Sequence, residues 1–127
     1  MDGIIELAGV LEDNGALSKF DVSSNQICGL DEDGDGEYDA SGLRALMESV
    51  SNLKELNISN NYLKAEGAAI VAPALEDNGE LSKLTFSGDY SSSKPVTVEV
   101  DMTELDCSGA ALGASGATIL ASWIQHK

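Results

Sequence analysis

Histidine occurs once, at His126, and cysteine twice, at Cys28 and Cys107. No Ser-His-Asp or Cys-His catalytic set can be assembled without that penultimate histidine, and terminal residues usually fray. Two cysteines are too few for a disulfide framework. Basic residues number 7 against 22 acidic ones, for a formal charge of −15. That balance excludes nucleic acid and anionic membrane surfaces, which are bound through Lys and Arg, and leaves basic proteins and divalent cations as partners. Aromatics make up 5% of the chain, so aliphatic side chains must fill the core. No apolar run reaches the length of a membrane span. The start, "MDGIIELAGVLEDNG", has no basic region and does not resemble a signal peptide. The glycines follow no phosphate-loop pattern, because "GDG" and "GALGASG" lack the lysine such a loop needs. These absences point to a non-enzymatic cytoplasmic protein, and 127 residues allow one modest core.

What the chain does have is an internal repeat. "LEDNGALSKF" (11–20) returns as "LEDNGELSKL" (75–84), and "FDVSSNQI" (20–27) aligns with "LNISNNYL" (56–63). The shared unit is L-x-x-L-x-L-x-x-N-x-L. It runs through Leu17, Phe20, Val22, Asn25 and Ile27, and again through Leu53, Leu56, Ile58, Asn61 and Leu63. A third copy has Leu81, Leu84 and Phe86, with Asp89 at the asparagine position; a degenerate fourth has Met102, Leu105, Cys107, Ala110 and Leu112. Apolar alternation within L-x-L predicts a short strand with one buried face. Each unit is joined to a segment with helical apolar spacing: Gly3 to Leu11, Gly42 to Val50, Gly67 to Leu75 and Gly116 to Ile124. Alternating strands and helices predict parallel strands, and units of this size must stack to share a core.

The repeated motif, the "LNISNN" strand and the "EGA" helix start resemble the leucine-rich repeat family, in its ribonuclease-inhibitor-like form, over nearly the whole chain. The resemblance implies an α/β fold: a short open solenoid with parallel strands on the concave face and helices on the convex one. It implies one domain over 1–127 that works as a protein–protein interaction module. Helix 3–13 has no strand of its own before it, so it either caps the stack or belongs with further repeats of a larger protein. "GATILASWIQHK", with Trp123 and Ile124, closes the other end, and uncapped ends allow self-association.

The chain departs from the family pattern twice. Repeat one carries an insertion at about 29–41, and repeat three, at about 84–102, has no helix. There "VTVEVDM" (96–102) alternates apolar and polar residues. We expect a β-hairpin-like return to a fourth parallel strand; the sequence leaves open whether it joins the sheet or packs on the convex side, and we favour the convex side. Pro73, inside the third helical segment, predicts a bend there.

The insertion reads D-E-D-G-D-G-E-Y-D from Asp31. It resembles the calcium loops of EF-hands and dockerin-like repeats, which implies ligands from Asp31, Asp33, Asp35, the Glu37 carbonyl and Asp39, with Gly36 at the sharp turn. The twelfth position is Gly42 instead of a bidentate glutamate, so affinity for calcium would be weak, on the order of 10⁻⁵ to 10⁻³ M. The bland alternative is a solvated acidic loop.

Outward strand positions form columns: Lys19, Glu55, Lys83, Glu104; then Asp21, Asn57, Thr85, Asp106; then Ser23, Ser59, Ser87, Ser108. The first is an alternating charge ladder across neighbouring strands. The serines suit local backbone capping. The family resemblance places a protein partner on this concave face, at Lys19, Asp21, Glu55, Asn57, Lys83 and Thr85, with Tyr38 of the insertion beside its edge. Cys107 reads as buried and Cys28, aligned with Lys64, as exposed; three strand spacings apart, they are expected to be free thiols.

Overall fold

The computed structural model describes residues 2–13, 16–30, 33, 35–49, 53–90 and 92–127. Among them the chain is mixed α/β. In order it forms α1 (Asp2–Asp13), β1 (Lys19–Asp21), α2 (Ser41–Ser49), β2 (Glu55–Asn57), α3 (Lys64–Asp77), β3 (Lys83–Phe86), β4 (Val96–Glu99) and α4 (Gly113–His126). The sheet order is β1-β2-β3-β4, and each helix packs against the next, α1 on α2, α2 on α3 and α3 on α4. No described helix is long and apolar enough to cross a membrane.

The first three strands are parallel, with Phe20, Leu56 and Leu84 in register. Leu56, Leu84 and Phe86 turn into a core shared with Leu43, Leu46, Val71, Leu75, Ile119 and Trp123 of the helices. Each is at most 3% exposed, and together they make one continuous apolar interior. Burial of a Leu or Ile in such a core is worth roughly 1.5–3 kcal/mol, which no three- or four-residue strand achieves unaided. Val22, Ile58 and Phe86 all lie inside this core, and Cys107 sits at its margin, half-buried.

Three turns share one construction. The side chains of Asp21, Asn57 and Asp106 accept the backbone N–H two residues on, from Ser23, Ser59 and Ser108, at 2.9, 3.0 and 2.9 Å. Ser24 and Gln26, Asn60 and Tyr62, Gly109 and Ala111 then take left-handed backbone at alternate positions. Side-chain hydrogen bonds to the local backbone make such turns accessible to non-glycine residues.

Asn61 is the hub between the first two units. Its Oδ1 accepts the Asn25 N–H at 2.9 Å and the Ile27 N–H at 3.3 Å. Its Nδ2 lies 3.1 to 3.2 Å from the carbonyls of Val22, Ile58 and Ser59. The side chain is 1% exposed, so it must find partners within the protein, and it does. Asp89, the third unit's equivalent, accepts the Lys64 N–H at 3.0 Å and the Ser115 hydroxyl, tying the start of α3 to the first turn of α4.

Two expectations are corrected. The first concerns the return after β3. β4 does not pack on the convex side; it joins the sheet antiparallel to β3, pairing Leu84 with Val98 and Phe86 with Val96. Val96 and Val98 thereby share the buried face of the sheet, while Thr97 and Glu99 face out. With the edge of β3 occupied, the expected fourth parallel strand does not form. Residues 102–107 are irregular, and Glu104, Leu105 and Asp106 are exposed. The Asp106–Ser108 turn survives because it is built from its own side chains.

The second correction concerns the thiols, whose burial is the reverse of the expected one. Cys28 is fully buried and Cys107 half-buried, and both are free. The insertion is the cause. Its counterpart Lys64 starts a helix, whereas Cys28 stands at the base of the acidic loop under Tyr38.

Candidate binding face

The outward side of the sheet is polar and ordered by register. Lys19, Glu55, Lys83 and Glu99 are aligned across the four strands. The Lys19 ammonium lies 2.9 Å from the Glu55 carboxylate, and that of Lys83 lies 3.6 Å from its other oxygen. The hydrogen bond from Lys19, reinforced by the charges of both lysines, holds the Glu55 carboxyl below its ordinary value. Glu99, not the exposed Glu104, stands fourth in this row. It was legible in principle: the alternation of "VTVE" turns Thr97 and Glu99 outward once the strand is placed beside β3.

The second row is Asp21, Asn57, Thr85 and Thr97. Asp21 accepts from Ser23, and those hydrogen bonds hold its carboxyl low. Asn57 Oδ1 accepts both the N–H and the hydroxyl of Ser59, the latter at 2.7 Å. The hydroxyls of Thr85 and Thr97 share a hydrogen bond at 2.9 Å. Ser87 caps the neighbouring unit by accepting the Asn60 N–H at 2.8 Å. Between the rows runs a shallow groove of about 320 Å³, lined by Lys19, Asp21, Glu55, Asn57, Lys83 and Thr85 with Phe20 and Leu56. The six strand residues expected to bind a partner thus lie on one surface. Their polar atoms are preset by neighbours, which reduces the entropy lost when a partner docks.

Tyr38 is not on that face. It is half-buried, and its hydroxyl donates to the Leu63 carbonyl at 2.5 Å. Burial, with Cys28 beside it, pushes the phenol above the ordinary tyrosine range. Burial likewise raises the Cys28 thiol to about 11. Tyr38 therefore ties the insertion to the end of the second unit's turn.

The acidic insertion is closed at its neck. The Asp39 N–H donates to the Cys28 carbonyl at 3.0 Å. Gly29 and Gly36 take φ of 85° and 120°, and a methyl group on either would meet the carbonyl oxygen of Glu37 or Gly29 at 2.2 Å. Both positions therefore need glycine. The Glu37 carbonyl is thereby held against Gly29. Asp39 Oδ1 accepts the N–H and the hydroxyl of Ser41 at 2.9 and 2.7 Å, fixing the start of α2, and these bonds hold its carboxyl low. Asp33, Asp35 and the Glu37 side chain are exposed, and Asp31 lies outside the described residues. Among the described residues no three His, Cys, Asp or Glu side chains are grouped to hold a metal ion. His126, the chain's one histidine, lies 3.8 Å from Glu76 on the helical side.

Compared with known proteins, the chain matches no family model, no curated protein and no solved structure.

Proposed function

We propose that this chain is a short leucine-rich-repeat-like solenoid that acts as a non-enzymatic protein-interaction module, with the outward face of its sheet as the docking surface. The observation that carries this reading is the registered polar row Lys19–Glu55–Lys83, preset on adjacent strands and not used for internal packing. The repeated turns, the Asn61 hub and the shared core support the stacked-unit architecture. The face alternates in sign, so it suits a partner segment of mixed charge, which it would steer and register more than hold by hydrophobic burial. Calcium binding by the insertion has less support, because Asp39 Oδ1 already accepts from Ser41.

The test is affinity capture with the wild-type chain and with a charge-reversed face, Lys19→Glu together with Lys83→Glu. A protein held by the wild type and lost from the reversed face, while Thr118→Lys on the helical side still holds it, supports the reading. A partner indifferent to the face reversal and sensitive to Thr118→Lys would overturn it.

A further inference from the structure

The helical layer is not filled evenly. Helices α2 and α3 each connect two parallel strands, so they run in the same direction. Between them lies a groove of about 500 Å³. Its α3 wall is built from Ala69, Ile70, Pro73, Ala74 and Asp77, which share one side of the helix at a four-residue spacing. Most of these side chains are small, and Met47 is the one large apolar residue that α2 sets against them. Met47 is 8% exposed, Ile70 and Ala74 are half-buried, and Ala69 and Pro73 are exposed. The floor is therefore apolar and reachable from solvent. A cleft of this size falls in the range that proteins use for binding.

Charge is ordered along the groove. Gly42 aligns with Gly67, which sets Arg44 beside Ala69 and Glu48 beside Pro73. Arg44, the chain's one arginine, stands at one end, and Glu48 and Asp77 stand at the other. Asp77 is two turns beyond Ala69, or ~12 Å along the axis. Arg44 and Glu48 are one turn apart, yet among the described residues neither they nor Asp77 form an ion pair. An arginine placed before a glutamate is the weaker order for such a pair. Pro73 has no N–H to give the Ala69 carbonyl, its partner in an ordinary helix. The wall thus offers a backbone acceptor as well as charges.

We infer that this groove docks an amphipathic helix of a protein partner. The helix lays apolar side chains on Met47, Ile70 and Ala74, an acidic residue over Arg44 and a basic residue over Glu48 and Asp77. A helix fits because its apolar side chains recur on one face and its charges project at both ends of that face. A fatty acid would satisfy Arg44 but lay its tail against two carboxylates, which would lose water without gaining a partner. A second copy would bring another −15 to a groove with a single cation. Methionine and arginine are also the residue types enriched at protein interfaces. The groove lies on the helical side and shares no residue with the sheet face, so the two surfaces can be occupied together.

The probe is a capped peptide as long as α3, 14 residues, with leucines at i, i+3, i+4 and i+7, glutamates in its first turn and lysines in its last. Amide-resolved NMR titration of the full chain with this peptide, up to ~1 mM, tests the inference. Saturable shifts are expected at Arg44, Met47, Ile70, Ala74 and Asp77, with Kd on the order of 10⁻⁴ M. Ile70→Asp should weaken binding at least ~10-fold, and Ala69→Gln, at an exposed position, replaces it if that variant melts early. Arg44→Glu should weaken the peptide ~5-fold in low salt, yet leave unchanged a peptide with glutamines in its first turn, which couples the two charges. No saturable shift, shifts confined to the sheet face or to α4, or binding indifferent to Ile70→Asp and Ala69→Gln would each overturn the inference. So would groove residues that respond to dodecanoate or to protein concentration and not to the peptide, since these would assign a lipid or a second copy instead.

Discussion

Two stretches of this chain build the same turn, 57–64 and 106–113, and only the first follows a strand. Both have an Asx hydrogen bond to a serine two residues on, and both have left-handed backbone at alternate positions. The comparison separates what is local from what is not. The turn is made by its own side chains and persists wherever the sequence supplies them. The strand needs an edge to pair with, and β4 has already taken the edge of β3. A further difference follows from stacking. The second turn holds Asn61, which serves the unit before it, whereas the last has Ala110 at that place, and the Ala110 carbonyl accepts the Lys94 N–H at 3.0 Å.

The substitution that most strongly sharpens this comparison is Asn61→Ala, which gives the second turn the residue of the last. It removes a buried side chain with five partners in the first two units, leaving N–H and C=O groups unpaired. The expected loss is about 3–4 kcal/mol in chemical denaturation. A loss below ~1 kcal/mol would mean that the turn does not depend on its inter-unit bonds.

Gly88→Ala probes the other side of the contrast, where the chain leaves β3. A methyl group there would sit 2.3 Å from the Ala111 carbonyl oxygen and 2.5 Å from that of Leu112. The turn and the start of α4 would have to separate, at a cost of about 2–3 kcal/mol. A neutral result in the same titration would show that the last turn is not packed on β3.

The acidity of the chain makes pH a milder probe. Asp21, Asp39, Glu55 and Asp106 all have lowered pKa values, each mainly through a hydrogen bond to its carboxylate. Their stabilisation is complete above the unfolded values of 3.8 to 4.5 and is lost as pH falls through the lower folded values. Cys28 acts at the other end. Its thiol is raised from 9.0 to about 11, so its contribution is complete below 9.0 and is lost as pH rises towards 11. Melting temperature should therefore be flat from about pH 5 to about pH 8.5 and fall on both sides. In Cys28→Ser the alkaline fall should shrink.

The smallest effect is expected from calcium. With Asp39 Oδ1 held by Ser41, millimolar calcium against a chelator should move the melting temperature by less than about 1 °C. A rise of several degrees, absent with magnesium, would make the insertion a calcium site.

Much of this architecture was readable from periodicity. The four helical segments and the first three strands lie where the L-x-L and glycine-led patterns put them, because both signals are set by one buried face per element. The Lys19–Glu55–Lys83 row was equally legible, since register follows from the repeat offset. The side of the sheet on which "VTVE" would lie was not. Its alternation suits any half-buried strand, and only the nine-residue connection from Phe86 to Val96, with Phe86 opposite Val96, settles it. Tyr38 and Cys28 were hidden for a different reason. They lie in and beside an insertion, where alignment to the repeat stops carrying information; Tyr38 packs against Leu63 and Gly67 of the next unit, and Cys28 against Tyr38.

The stacked-unit account is tested most directly by cross-strand nuclear Overhauser contacts at β3. It predicts backbone contacts between Leu84 and Val98 and between Phe86 and Val96 in antiparallel register, with Leu56 parallel on the other side. Parallel contacts from β3 to Leu105 and Cys107 would instead put the fourth unit's strand in the sheet and contradict the account.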